Sequence, residues 1–309
     1  MSVDLRVVRP GMLTTVQDLG RWGHQDSGVP VAGPMDPYSH RLANRLVGNA
    51  EDAAALEVTL LGPELEASGD LVCAVAGAEF ELVAGASVPM HAPFTLASRK
   101  RLRFGARHAG ARATLAVAGG IAVEPVLGSR ATSLISGIGP FGGRALKAGD
   151  VLPIGAVEAP PRSGWRAIPL ALPAGGARLR VVPGPHDAMF TPGACDTLFS
   201  ARYVVSVRSN RMGYRLEGPP LAHLGTADIL SDATPLGSLQ VPASGQPILL
   251  MADRQTTGGY PKIATVISAD FALAGQLAPG DWVEFAPCTR AAAVDALKEQ
   301  RRKLAGHAR

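Results

Sequence analysis

Cysteine is scarce in this chain: three residues in 309, at positions 73, 195 and 288. They lie far apart, are odd in number and form no C-x-x-C pair, so the spacing gives neither a zinc site nor a disulfide framework. Aromatic residues make up only 5%, and none interleave with the basic clusters, which argues against a surface that stacks nucleic-acid bases. No apolar run approaches the roughly 18 residues of a membrane helix. The N-terminal "MSVDLRVVRPG" reaches Pro and Gly too soon for a signal-peptide core. These absences predict a soluble, cytoplasmic protein with no membrane or nucleic-acid partner.

Catalytic motifs of common kinds are also lacking. There is no G-x-x-x-x-G-K-[ST] phosphate loop and no G-x-S-x-G nucleophile elbow. The seven histidines show no H-E-x-x-H or other short metal spacing, so no metal site is expected. "GIGPFG" (137–142) fits G-x-G-x-x-G literally, but Pro140 and Gly143 interrupt it and no helix follows to cap a pyrophosphate. His186, beside Asp187, reads as a surface or hydrogen-bonded histidine.

Glycine (36) and proline (25) are plentiful, hydrophobic residues reach 47% and charged residues 18%. Such a chain can bury a sizeable core. Its apolar segments are short and bounded by turn residues: "DLVCAVAG", "ATLAVAGG", "RLRVVPG", "YVVSVRS", "PILLMA", "IATVIS". That is an all-β signal, compatible with two barrels or sandwiches. Two stretches read as helices. "MDPYSHRLANRLVGN" has Asp36 as N-cap, Pro37 at the first helical position and Gly48 as the stop. The tail from Thr289 to Leu304 is Ala-rich with a modest apolar stripe. The net charge of +4 is mild, and "RKRLR" (99–103) reads as a solvated strand face.

Three pairs of segments echo each other in the same order: "LRVVRPG" (5–11) with "LRVVPGP" (179–185), "LLGPEL" (60–65) with "LEGPPL" (216–221), and "LKAGDVLPI" (146–154) with "LAPGDWVEF" (277–285). Ordered echoes favour a duplicated domain. A Pro/Gly/Ala-rich stretch at 155–177 reads as the linker. The expected organisation is a first domain over 1–160, a second over 177–290 and a helical tail over 291–309.

Polar residues concentrate in three clusters. Residues 14–36 carry Gln17, Asp18, Arg21 and Asp36. Residues 207–218 carry Arg211. Residues 236–264, with Gln240, end in "DRQTTGGYPKIA" (253–264), directly after the apolar "PILLMA". Gly258 and Gly259 let the backbone approach a ligand. Thr256, Thr257 and Tyr260 supply hydroxyls, and Gln255 both donates and accepts. Lys262 and Arg254 suit a carboxylate or phosphate. A hairpin loop with its own hydrogen bonds, a contact between subunits and a small-molecule site all fit this composition.

The chain resembles the KipA-type biotin-dependent carboxyltransferase family, also called the allophanate hydrolase subunit 2 family. The matching segments include "GMLTTVQDLGRWGHQDSGVPVAGPMD", "LEVTLLGPEL", "SNRMGYRLEG" and "LGSLQVPASGQPILLMADRQTTGGYPKIA", and the likeness runs over residues 4 to 287. Asn210 stands where many relatives are expected to have Asp, and His186 where Gln is expected. The resemblance implies a mainly β fold of two tandem cyclophilin-like β-barrels with a few short helices.

It also implies a subunit of an ATP-dependent 5-oxoprolinase, converting 5-oxo-L-proline to L-glutamate with a KipI-type subunit and a third, lactam-cleaving subunit. ATP is bound by, or shared with, the partner subunit. The alternatives are a carboxyltransferase component of a urea or amide carboxylase, whose biotin sits elsewhere because no Met-Lys-Met occurs here, and a regulatory KipI-binding protein without catalysis. Lactam opening needs donors at a developing oxyanion and a clamp for the substrate carboxylate. Arg211 is expected on the carboxylate or phosphate. Gln240, Gln255, Thr256, Thr257, Gly258, Gly259 and Lys262 are expected on the phosphate or oxyanion side. Asp253 and Tyr260, with Lys262, are expected to orient the substrate or move a proton. Gln17, Asp18, Arg21 and Asp36 are expected to close the site or the contact between subunits.

Overall fold

A computed structural model describes residues 3–161, 165–166 and 168–308. Four residues of the expected linker, 162–164 and 167, lie outside the described residues. The chain divides into two compact units. One comprises Met1–Arg21, Ala32–Leu172 and Arg302–Arg309; the other comprises Trp22–Val31 and Pro173–Arg301. The fold is mainly β, as expected, with a curled half-barrel sheet in the first unit and a closed barrel in the second. Among the described residues, no helix is long and apolar enough to cross a membrane.

The first unit holds eight strands in one sheet: β1 (Asp4–Arg9), β2 (Leu13–Gln17), β3 (Ala55–Thr59), β4 (Glu64–Ala67), β5 (Leu71–Val83), β6 (Phe94–Leu96), β7 (Arg101–Val117) and β8 (Val151–Pro153). Their order is β2-β3-β7-β4-β1-β8, with β5 paired to β7 and β6 to β5. The long β7 is the spine. Its first residues pair with β4, its last with β3, and β5 runs along its other edge. Helix α1 (Pro37–Leu46) packs on β5 and β7. There β5 is buried on both faces, and fully buried Ala74 and Ala76 alternate with the core residues Cys73 and Val75. Each large aliphatic residue buried in this core stabilises by about 1.5–3 kcal/mol. A short ladder joins β9 (Trp165–Arg166) to β19 (His307–Ala308).

The second unit's barrel takes β10 (Gly176–Pro183), β11 (Tyr203–Val205), β12 (Gly213–Glu217), β14 (Ser238–Gln240), β15 (Ile248–Leu250), β17 (Lys262–Val266) and β18 (Trp282–Pro287) in the closed order β10-β17-β14-β15-β12-β11-β18. Alternation does the sorting. Leu179 and Val181 of β10 point inward and are fully buried, while Arg178 and Arg180 point out. Outside the ring, β13 (Asp232–Ala233) pairs with β16 (Thr257–Gly258). The remaining helices are the single turn α2 (Pro140–Gly143), then α3 (Pro192–Ser200), α4 (Phe271–Gly275) and α5 (Arg290–Ala305).

The helix signals read from sequence hold. Asp36 accepts a hydrogen bond from the Ser39 amide (2.9 Å), Pro37 is the first helical residue, and Gly48, just past the end, has φ +83°. Within "GIGPFG", Phe141 and Gly142 have positive φ and only one turn forms, so no helix is available to cap a phosphate. Arg101 and Arg103 pair with Glu64, and Arg101 also with Glu66, on the exposed strand face. The echoed segments fall on β1 and β10 and on β8 and β18, but the pairings differ. β1 meets β8 antiparallel, whereas β10 meets β18 parallel. The two units therefore share sequence echoes without sharing one strand topology.

Candidate functional site

The stretch 253–264 is no loose loop. Asp253 follows β15, Thr257 and Gly258 form β16, and Lys262 opens β17. Two ladders bring its polar groups together. Across β14 and β17, Gln240 stands opposite Lys262, with a register shift between Leu239 and Gln240. Across β13 and β16, Asp232 stands opposite Gly258. Directly opposed residues project to the same side of a ladder. A Cβ built on Gly258 would lie 2.6 Å from Gln240 Nε2 and 3.2 Å from both Gln255 Nε2 and Thr234 Cγ2. Gly258 thus lets the Gln240 amide pack against the β16 backbone, where a side chain would collide with it.

Lys262 is buried, 1% exposed, and its Nζ donates to Asp232 Oδ2 at 2.8 Å. The Asp232 side chain is half in water, at 52% exposure. The Lys262 ammonium first, then the Ala233 amide, holds the Asp232 carboxyl below the usual carboxylate range. Beside them the Lys262 amide donates to His186 Nδ1 (3.3 Å), and partial burial, reinforced by the Lys262 charge, lowers the His186 pKa. Gln240 is 1% exposed; its Oε1 accepts from Gln255 Nε2 at 3.1 Å, while its own Nε2 has no partner among the described residues. Ser238 Oγ, two residues earlier on β14, is likewise buried and unpartnered among them. Buried donors in folded proteins are nearly always satisfied, and this unpaired amide belongs to the residue opposite Lys262 in the β14–β17 ladder.

Arg211 lies in a buried ion pair. Its Nε and Nη2 donate to the two oxygens of Asp253, both at 3.1 Å, and the Asp253 amide donates back to the Arg211 carbonyl at 2.8 Å. Arg211 is 5% exposed and the Asp253 side chain fully buried. The guanidinium and the Asp253 carboxylate thus form an internal two-pronged pair. Arg254 donates through Nε to the Thr234 carbonyl (2.7 Å), and burial pushes its pKa down to about 10. Thr234 Oγ1 bonds the Gln255 carbonyl, and the Thr234 amide the Thr256 carbonyl. Thr257 and Tyr260 are exposed, Thr256 is half-buried, and the Gly259 carbonyl accepts from the Ile229 amide. Asn210 caps a turn by accepting from the Met212 amide (2.8 Å).

The first-unit candidates hold their own unit together. Asp18 accepts from the Gly20 and Arg130 amides and from Ser129 Oγ. Arg21 donates to the carbonyls of Val126, Ser129 and Ala131. Both pin the same glycine-containing loop. Gln17 Nε2 donates to Thr15 Oγ1 and to the Thr132 carbonyl, and Asp36 caps α1. Asp232, the counter-ion of Lys262, went unnoticed in the sequence; "SDATP" carries no motif, and only its register against Gly258 marks it. Among the described residues no cluster of His, Cys, Asp and Glu suits a metal, and the three cysteines are free thiols.

The second unit thus holds a closed β-barrel with a buried cation and an amide donor that has no partner among the described residues. The profile of the family "Carboxyltransferase domain, subdomain A and B" matches residues 27–287, and the chain belongs to that family. It is 41% identical over 305 residues to the C-type subunit of 5-oxoprolinase from Escherichia coli, covering 96% of both chains. It is 34% identical to urea amidolyase of Saccharomyces cerevisiae over 92% of this chain but 16% of that one. The crystal structure of urea amidolyase from K. lactis superposes with a TM-score of 0.92 at 32% identity, covering 97% of this chain and 20% of that chain.

Proposed function

We propose that this chain is the C-type subunit of an ATP-dependent 5-oxoprolinase, which opens 5-oxo-L-proline to L-glutamate together with a KipI-type subunit and a lactam-cleaving subunit. The observation that carries the reading is the 41% identity to the C-type subunit of the E. coli 5-oxoprolinase across 96% of both chains. The chemistry of the site agrees with it. In this reading the substrate carboxylate is held by Lys262 Nζ and Gln240 Nε2, a charge-assisted pair of donors; Gly258 lets the Gln240 amide lie close to the β16 backbone. Ser238 Oγ and the Gln255 amide orient the lactam ring, and the Arg211–Asp253 pair fixes the strand end that carries Gln255. One ammonium and one amide are too small a donor set for a triphosphate, so ATP is assigned to the partner side, where it supplies the phosphoryl group that activates the lactam oxygen. This chain's residues then bind and orient the substrate.

The test is an assay of the chain co-purified with its co-encoded neighbours. ATP-dependent glutamate release from 5-oxo-L-proline is expected, with no ring opening of 2-pyrrolidinone, which lacks the carboxylate. Absence of glutamate release by the assembled complex overturns the reading. A second reading, carboxyl transfer from carboxybiotin to urea or another amide, is supported by the TM-score of 0.92 to a urea amidolyase. It requires a biotin carrier outside these 309 residues, and carboxylation of urea by the same complex would favour it.

A further inference from the structure

Lys262 and Asp232 are an unequal pair. The ammonium is buried at 1% exposure, yet the carboxylate that answers it is half in water and sits on a ladder only two residues long. A buried cation is ordinarily matched by a partner buried with it, as Arg211 is by Asp253. Asp232 instead reaches Lys262 from the exposed edge of the unit. It also projects to the side of the β13–β16 ladder on which the Gln240 and Gln255 amides pack against Gly258. The Gln240 amide nitrogen has no partner among the described residues, so the cluster offers more hydrogen-bonding capacity than Asp232 uses.

We propose that Asp232 is an internal occupant of a carboxylate site formed by Lys262 and Gln240: its side chain neutralises Lys262 until the carboxylate of the incoming substrate takes its place. This inference rests on the reading of that cluster as the substrate-carboxylate site, and it adds how access to the site is governed. The geometry suits such an exchange. The guest carboxylate gains the Lys262 ammonium and the spare Gln240 donor, while Asp232, on a two-residue ladder at the surface, is released into water at little cost. Thr234, whose amide and hydroxyl bond the carbonyls of Thr256 and Gln255, anchors the ladder just beyond Asp232, so Asp232 can leave without loosening β16. Competition from Asp232 keeps weak carboxylates off the buried ammonium and selects a guest that also fits the lactam-binding space.

The experiment follows the thermal midpoint of the full chain and of two variants, Asp232→Ala and Asp232→Asn, through titrations with sodium acetate, 5-oxo-L-proline and inorganic phosphate. Sodium chloride at matched ionic strength is the control. In the variants, acetate and 5-oxo-L-proline are expected to raise the midpoint at concentrations at least tenfold lower than in the unaltered chain. Gln240→Ala added to Asp232→Asn is expected to remove much of that gain. Asp232→Asn preserves side-chain shape, so it carries the test if Asp232→Ala does not fold. Equal or weaker responses in the variants overturn the proposal, as does a response to phosphate alone. A gain with acetate but none with 5-oxo-L-proline keeps the internal-occupant assignment and overturns the oxoprolinase reading.

Discussion

Arg211 and Asp253 meet through two hydrogen bonds of 3.1 Å, and both groups are buried. A buried pair of this kind tolerates loss of both partners far better than loss of one, because one survivor is an unpaired buried charge. Arg211→Met and Asp253→Leu are each expected to destabilise the second unit by about 3–5 kcal/mol, and the double variant by clearly less than their sum. Denaturant unfolding of the three proteins measures this. Additive losses would show that the two groups are not coupled.

Gly258→Ala tests the packing of the amides on β16. The new Cβ meets Gln240 Nε2 at 2.6 Å, and that amide is held by Gln255 through its oxygen. The expected result is a loss of 5-oxo-L-proline affinity of at least tenfold, with a stability cost of only about 1–2 kcal/mol. Titration of the variant with substrate, alongside its melting curve, separates the two effects. Unchanged affinity would remove Gly258 from the site.

The first unit contains a buried histidine that is expected to contribute to its acid sensitivity. His40 is 1% exposed, touches Asn44 at 3.3 Å, and burial lowers its pKa to about 4, against the pull of Asp18 and Asp52 and with the push of Arg41. The folded form therefore binds the proton less readily than the unfolded chain. Stability is full above about pH 6.5, falls as the pH drops through that value, and stops falling near the folded pKa. The loss over that window is on the order of 3 kcal/mol. His40→Gln is expected to flatten the curve of stability against pH between about 4 and 6.5, and an unchanged slope would refute the assignment.

Asp18 is expected to be a structural pin. It holds the Arg130 amide at 2.5 Å and Ser129 Oγ at 2.6 Å. Asp18→Ala should speed hydrogen exchange at Arg130 and cost about 2 kcal/mol, while the 5-oxo-L-proline affinity of the chain stays within twofold of the original. A tenfold loss of affinity at unchanged stability would return Asp18 to the binding machinery.

Whatever a few neighbouring residues decide was legible in the sequence. Asp36, Pro37 and Gly48 mark α1 because capping and φ are local properties. The alternation in "LRVV" marks β10 because a strand's period is two. The arginines at 101 and 103 were legible as a solvated face for the same reason. The partners of charged residues were not legible, since they depend on register between distant strands. Arg211 finds Asp253 only because Gly213 pairs with Leu250 across β12 and β15. Lys262 finds Asp232 only because a two-residue ladder sets Asp232 opposite Gly258. A polar cluster in sequence showed where chemistry is possible, and strand pairing decided which of its members were already spent.

The second unit's ring is shut by the parallel pairing of β10 with β18, from Gly176 against Trp282 to Val181 against Pro287. During synthesis the opening strand leaves the ribosome early and stays without this neighbour until nearly all of the unit has been translated. Truncation anywhere before residue 282 should then yield an exposed, sticky strand edge rather than a smaller barrel.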